Sequence, residues 1–171
     1  MLIYKDLLTG DELFTDIYKI KEIQNGFFLE VEGLMVSRCG DEISDRLIGG
    51  NQSLETQAED FDRVTESGVD IVLNSKLQET RFSKADYKIY IKTYVNELKA
   101  KLKEVKPDRE GAFAKAASES IKHVLGKFSN FQFFIGESMN PSGMVALLDF
   151  REDGQTPFFL FFKDGLEVEK A

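Results

Sequence analysis

The sequence has one cysteine, Cys39, one histidine, His123, and no tryptophan. A single cysteine cannot form a disulfide within the chain, and it cannot supply a Cys-x-x-Cys redox pair. One cysteine and one histidine are also too few for structural zinc sites, which usually take four such ligands. These absences exclude disulfide frameworks, cysteine-rich zinc sites and multi-histidine metal centres. They also leave His123 as the sole histidine for a Ser-His-Asp type of catalytic triad.

Long hydrophobic runs are missing as well. The two longest, Met144 to Leu148 and Phe158 to Phe162, span five residues each, whereas a membrane-spanning helix needs about 20 residues. The chain reaches Lys5 and Asp6 before an apolar segment of signal-peptide length can form. We therefore expect no membrane association and a cytoplasmic location, so that any secretion would have to proceed without a signal peptide.

Acidic residues outnumber basic ones, 30 to 22, and the net charge is −8. That average hides a division along the chain. Residues 81–106 contain eight basic and three acidic residues, a net +5, which leaves −13 for the other residues. A chain of 171 residues is long enough to bury one sizeable core. We expect a single domain over residues 1–171, with two oppositely charged regions.

Apolar segments bounded by turn residues predict strands in the first 37 residues and in the last third of the chain. Asn25-Gly26 is a strong hairpin signal, and Thr9-Gly10-Asp11 is another turn cluster. The run Phe158 to Phe162 shows no alternation, which is typical of a central strand buried on both faces. The other strands are predicted at Leu2–Tyr4, Glu12–Phe14, Phe27–Val31, Leu34–Val36, Val69–Leu73, Leu77–Phe82, Phe131–Ile135 and Met144–Phe150.

Two helices are predicted between these groups of strands. Ser83 begins a capping box with Asp86, and apolar residues then recur at spacings of three and four from Tyr87 to Val105. Pro107 ends this helix, and a second one follows. The short break predicts an antiparallel helical hairpin over residues 83–128. The whole pattern predicts an α+β fold of mainly antiparallel strands with this hairpin inserted.

Residues 38–67 break the pattern, with eight acidic residues, three basic ones and few large apolar side chains. Such a segment cannot bury enough apolar surface to offset its ordering entropy, so we expect a long mobile acidic loop. Within it, Asn51, Ser53 and Glu55 alternate as oxygen donors. Because calcium prefers oxygen ligands, these residues predict a weak calcium site outside the EF-hand class. The alternative is a solvated acidic loop without a bound ion.

Four lysines of the first predicted helix, Lys84, Lys88, Lys92 and Lys99, recur at helical spacing. We expect them on the face opposite the apolar stripe. There they form either a solvated surface or a docking surface for an acidic partner. This charge is not accompanied by exposed aromatic residues for base stacking, so nucleic acid is not an expected partner.

Six segments of the chain are distinctive, and they occur from end to end: Ile3–Leu7 (IYKDL), Asp11–Asp16 (DELFTD), Ile48–Asn51 (IGGN), Gln132–Glu137 (QFFIGE), Gly143–Asp149 (GMVALLD) and Phe162–Glu167 (FKDGLE). In this order they resemble the translationally controlled tumour protein family. The resemblance implies a β-tent fold with a projecting helical hairpin and a disordered acidic loop, in agreement with the patterns above. It also implies a non-enzymatic cytosolic protein with several partners.

The resemblance further implies two partner surfaces. Glu12 matches an acidic residue of the surface that the family is proposed to present to small GTPases, and Glu137 is its expected neighbour at a strand end. The four lysines suit the acidic surface of tubulin and microtubules. Calcium, translation elongation factor 1 and anti-apoptotic proteins are further implied partners, in the control of growth and apoptosis.

An enzymatic alternative rests on Cys39, because the resemblance also extends to the fold of methionine sulfoxide reductases. Arg38 favours a reactive thiolate at Cys39, whereas Asp41 and Glu42 oppose it. Those relatives typically hold zinc through cysteine pairs, which one cysteine cannot do, so we expect no enzyme. Many family members end in cysteine, whereas this chain ends in Lys170-Ala171, so we expect mostly a monomer.

Overall fold

The computed structural model of the protein describes residues 1–39 and 65–171. Within those residues the chain forms eleven β-strands and three α-helices. The strands are β1 (Leu2–Asp6), β2 (Glu12–Thr15), β3 (Lys19–Ile23), β4 (Phe28–Glu32), β5 (Met35–Cys39), β6 (Thr65–Val69), β7 (Gln78–Thr80), β8 (Gln132–Ile135), β9 (Ala146–Phe150), β10 (Pro157–Phe162) and β11 (Leu166–Lys170). The helices are α1 (Asp70–Ser75), α2 (Lys84–Val105) and α3 (Pro107–Gly126).

A small antiparallel sheet has the strand order β11-β1-β2. Tyr4 of β1 lies opposite Phe14 of β2, and their rings stack with centroids 4.4 Å apart. Phe14 also packs at 4.4 Å against Phe161 of β10, so the core lies between this sheet and the larger one. The sequence pattern does not predict β11, because the residues after Leu166 are exposed and mostly charged.

The larger sheet is also antiparallel, with the strand order β3-β4-β10-β9-β8-β7. Strand β10 lies at its centre between β4 and β9, and Phe159, Phe161 and Phe162 are almost completely buried. The prediction of a central strand is therefore confirmed. Pro157, which cannot donate a backbone hydrogen bond, stands at its first position.

A third sheet pairs only β5 and β6. It corrects the predicted boundaries of the acidic loop, because residues 38–39 continue β5 and residues 65–67 belong to β6. The two strands pair antiparallel, so each supplies the backbone hydrogen-bond partners of the other. The rest of the predicted loop lies outside the described residues.

The predicted strand Val69–Leu73 is wrong beyond Val69, because helix α1 begins at Asp70. The Asp70 carboxylate accepts hydrogen bonds from the amides of Leu34 at 2.9 Å and Ile71 at 2.8 Å. Ile71 is fully buried in the core. β-Branched residues favour a strand, and these tertiary contacts override that local preference.

The helical hairpin has the predicted boundaries at its start and at its break. Helix α2 begins after Ser83, whose hydroxyl accepts a hydrogen bond of 3.0 Å from the amide of Asp86. It ends at Val105, and Pro107 is the first residue of α3, where its missing N–H would have no partner in any case. The predicted α+β fold with antiparallel sheets and a helical hairpin is confirmed.

Two polar contacts fix the hairpin to the larger sheet. The Tyr90 hydroxyl of α2 donates to the carbonyl of Gly143 at 2.7 Å and accepts from the amide of Val145 at 3.0 Å. Arg109 of α3 donates two hydrogen bonds, of 2.8 and 3.0 Å, to the two carboxylate oxygens of Asp164. The Asp164 side chain is only 6% exposed, and this partner raises the pKa of Arg109. Paired and hydrogen-bonded in this way, the buried carboxylate is satisfied.

Candidate functional site

The candidate site begins at the turn that joins β1 to β2. The amide of Asp6 donates to the carbonyl of Asp11 at 2.8 Å, and the amide of Gly10 donates to the carbonyl of Asp6 at 2.7 Å. Gly10 has a φ of +83°, which glycine adopts without a steric penalty, and the predicted turn is confirmed. The turn determines where β2 begins, and its first residue, Glu12, is exposed.

Asp11 connects this turn to the end of β8. Its carboxylate accepts a hydrogen bond of 2.6 Å from the hydroxyl of Ser138. Gly136 lies so close that a Cβ atom there would be 2.6 Å from the Cβ atom of Asp11. These contacts bring Glu12 and Glu137 to the same edge of the molecule, and both are exposed. We call Asp11, Glu12 and Glu137 the acidic edge.

Neighbouring lysines neutralise the acidic edge only weakly. Lys76 approaches Glu137 at 3.7 Å, and the two side chains are 69% and 62% exposed; such a pair contributes little free energy. Lys5 lies opposite Glu12 in the sheet, but its ammonium group bonds to Glu169 at 3.0 Å. The pKa of Lys5 is raised mainly by that hydrogen bond and less by the charge of Glu12. Both carboxylates therefore remain accessible to a partner.

Asp6, which the sequence patterns above do not single out, holds the loop that follows Glu137. Asp6 is only 3% exposed, and its carboxylate accepts hydrogen bonds from the amides of Leu8 at 2.9 Å and Met144 at 2.7 Å. Burial raises the pKa of Asp6, although these amides act in the opposite direction. An aspartate at the end of an apolar strand, just before a glycine turn, is the one sequence signal for this role.

The four predicted lysines lie along one flank of α2 rather than opposite its apolar stripe. Lys88, Lys92 and Lys99 each directly follow a buried residue of the stripe, so each lies about 100° around the helix axis from it. The face opposite the stripe instead carries Ile89, which is 68% exposed. Lys84, Lys88 and Lys92 are exposed and Lys99 is half-buried. We call these four residues the lysine flank.

The predicted calcium ligands Asn51, Ser53 and Glu55 lie outside the described residues, and that site stays a prediction. In residues 1–39 and 65–171, no group of three or more His, Cys, Asp or Glu side chains is arranged to hold a metal ion. In the same part of the chain, none of the helices is long and apolar enough to cross a membrane.

Known proteins resemble this chain over its whole length. Residues 1–167 match the family model of translationally controlled tumour protein. The chain is 62% identical to the homologue of that protein from Labeo rohita and 60% identical to the protein from Mus musculus, with 100% of each chain covered.

Two solved structures have the same fold. The chain is similar to the translationally controlled tumour-associated protein of Schizosaccharomyces pombe, with a TM-score of 0.80, 41% identity and 100% of each chain covered. The translationally controlled tumour protein of Caenorhabditis elegans has a TM-score of 0.72 and 32% identity, over 100% of this chain and 99% of that one.

We predict that Gly136→Ala destabilises the protein by about 1–3 kcal/mol, because the added methyl group would overlap the Asp11 side chain. Denaturant unfolding measures the change. Gly111→Ala is the matched control, since nothing lies within 4 Å of its Cβ position in α3. Alanine should stabilise that helix by about 0.5–1 kcal/mol. Equal stability of Gly136→Ala and the unmodified protein would contradict the close contact at Asp11.

Proposed function

The chain belongs to the translationally controlled tumour protein family, and from that premise we propose that it binds a small GTPase through the acidic edge. Membership of this family supports a regulatory protein without an enzymatic activity. Translation elongation factor 1 is the alternative partner for the same surface.

The observation that carries this proposal is the contact of Asp11 with Gly136 and Ser138. Because of this contact, the start of β2, which carries Glu12, is fixed to the turn after β8, which carries Glu137. A small GTPase holds its nucleotide phosphates with a lysine and with backbone amides. An exposed pair of carboxylates complements the charge of such a lysine, and charge complementarity determines partner choice and association rate.

We predict that Glu12→Gln together with Glu137→Gln weakens binding to a purified small GTPase by at least about tenfold, because the charges are lost while the side-chain shapes are kept. Calorimetric titration in the presence of GDP measures the affinity. Glu97→Gln together with Glu104→Gln, two exposed carboxylates of α2, is the matched control and should bind as the unmodified protein does.

A parallel titration with translation elongation factor 1 decides between the two partners. If Glu12→Gln together with Glu137→Gln weakens binding to the elongation factor alone, the elongation factor is the partner of the acidic edge. Unchanged affinity for both would remove the proposal.

A second surface supports a second candidate function, the docking of the lysine flank on tubulin or microtubules. Lys84, Lys88 and Lys92 are exposed on successive turns, so their charges add along one side of α2. Among the described residues, none of these three lysines forms an ion pair. A row of unpaired cations of this kind fits an extended acidic surface.

We predict that Lys84→Glu, Lys88→Glu and Lys92→Glu together abolish co-sedimentation with microtubules at low ionic strength. Binding by the unmodified protein should weaken steeply as salt is added, because exposed charges are screened. The matched control reverses three exposed lysines elsewhere, Lys19, Lys21 and Lys170. Undiminished co-sedimentation of the first variant would show that the lysine flank is a solvated surface.

Calcium binding and an anti-apoptotic role in growth control stay predictions of the family resemblance. For calcium, the test is calorimetry at millimolar concentrations with Asn51→Ala, Ser53→Ala and Glu55→Ala together. A signal that survives these changes would place the ion elsewhere in the chain.

A further inference from the structure

Met139 has an unusual backbone conformation for an exposed apolar residue. Its side chain is 57% exposed, and its φ is +60°. Eight large apolar side chains are exposed in the described residues, and Met139 is the one among them with a positive φ. The left-handed region disfavours any residue with a Cβ atom, whereas glycine and, to a lesser extent, asparagine adopt it readily.

The loop holds Met139 between two consecutive turns. The amide of Met139 donates to the carbonyl of Gly136 at 2.9 Å and closes the first turn. The amide of Gly143 donates to the carbonyl of Asn140 at 3.1 Å and closes the second. The Asn140 side chain adds a hydrogen bond of 2.9 Å from the amide of Ser142. Met139 is thus the junction of the two turns, and its backbone has little freedom.

Side chains outside the loop hold both of its ends. Asp11 accepts the hydroxyl of Ser138 at 2.6 Å on one side of Met139. On the other side, Asp6 accepts the amide of Met144 at 2.7 Å, and Tyr90 donates to the carbonyl of Gly143 at 2.7 Å. A side chain presented on so well anchored a loop loses little conformational entropy when it is bound.

Residues of the acidic edge adjoin Met139 through its own loop and through the turn that Ser138 contacts. The hydroxyl of Ser138, the residue before Met139, donates a hydrogen bond to Asp11, which precedes Glu12 in sequence. Glu137 lies two residues before Met139 in the same loop. Methionine adapts its shape to an apolar pocket because its thioether chain is flexible and polarizable. An exposed methionine beside two carboxylates therefore matches an apolar socket with cationic groups on its rim.

We propose that Met139 is the apolar anchor of the acidic edge and that it inserts into an apolar, basic-rimmed socket on the small GTPase. This inference rests on the proposed function of that edge. Strained backbone positions persist where the surrounding structure enforces them, and they often mark functional sites. The carboxylates beside Met139 would be repelled by an anionic lipid surface. The partner of Met139 is therefore a protein socket with complementary charge.

The test compares two substitutions at Met139 by calorimetric titration with a purified GDP-bound small GTPase. Met139→Leu keeps an apolar side chain of similar volume and should bind within about threefold of the unmodified protein. Met139→Gly removes the anchor and should bind at least about tenfold more weakly. Ile89→Ala, which removes an exposed apolar side chain from α2, is the control and should leave the affinity unchanged.

Thermal unfolding of the same variants separates an anchor from a structural residue. Because glycine favours a positive φ, Met139→Gly should unfold at the same or a higher temperature while its affinity falls. Unchanged affinity of Met139→Gly, with Glu12→Gln and Glu137→Gln still weakening binding, would overturn this inference alone. A loss of affinity accompanied by a lower unfolding temperature would also overturn it. Absence of binding by the unmodified protein would remove both the proposed function and this inference.

Discussion

A buried carboxylate, that of Asp6, joins the two larger sheets of this protein and positions the loop beside them. It accepts the amides of Leu8 and Met144, so the end of β1 and the entry to β9 share one acceptor group. Gly143 makes this possible, because a Cβ atom there would lie 2.7 Å from the Asp6 oxygen. A buried carboxylate without hydrogen-bond partners would be costly in this place. The Asp6 carboxylate and the amides that donate to it satisfy each other's hydrogen-bonding groups.

Three further polar contacts lie close to the same junction. The amide of Leu7, next to Asp6, donates to the carbonyl of Gly165 at 2.8 Å. Asp11, at the far side of the same turn, accepts from Ser138. Tyr90 brings α2 to the loop at Gly143, so the helix that carries the lysine flank is attached to the loop that carries Met139. The acidic edge and the lysine flank, two surfaces of opposite charge, are in this way attached to one core.

Much of the fold follows from local sequence signals, and the site follows from them only in part. Ser83 and Pro107 mark the hairpin because caps and proline act within one turn of the chain. Phe158 to Phe162 identifies the central strand because burial on both faces leaves no polar position. In contrast, Lys19–Ile23 and Leu166–Lys170 form edge strands with charged, exposed side chains, and such strands lack an apolar pattern of their own.

The remaining features depend on tertiary contacts that a sequence pattern does not contain. The sequence of Val69–Leu73 is typical of a strand, but in the structure a helix begins at Asp70, whose carboxylate accepts a hydrogen bond from the amide of Leu34. The acidic edge was expected from a resemblance at Glu12, but its assembly depends on Asp11 and Gly136, residues distant in sequence. The positive φ of Met139 occurs at the junction of two local turns, and the three distant anchors of the loop, Asp11, Asp6 and Tyr90, are not visible in its own segment.

The most direct test of this account is the titration of Asp6 by carbon NMR, with hydrogen exchange of the Met144 amide measured on the same sample. Burial should move the pKa of Asp6 above its ordinary value of 3.8, whereas that of Asp153, an exposed acceptor of amide hydrogen bonds, should lie below it. Because the folded-state pKa of Asp6 is raised, its carboxyl group stabilises the fold most below pH 3.8 and loses that contribution as the pH rises through the folded-state pKa. The Met144 amide should be strongly protected from exchange. A Met144 amide that exchanges as in an unfolded peptide would contradict the role of Asp6 as the anchor of the loop.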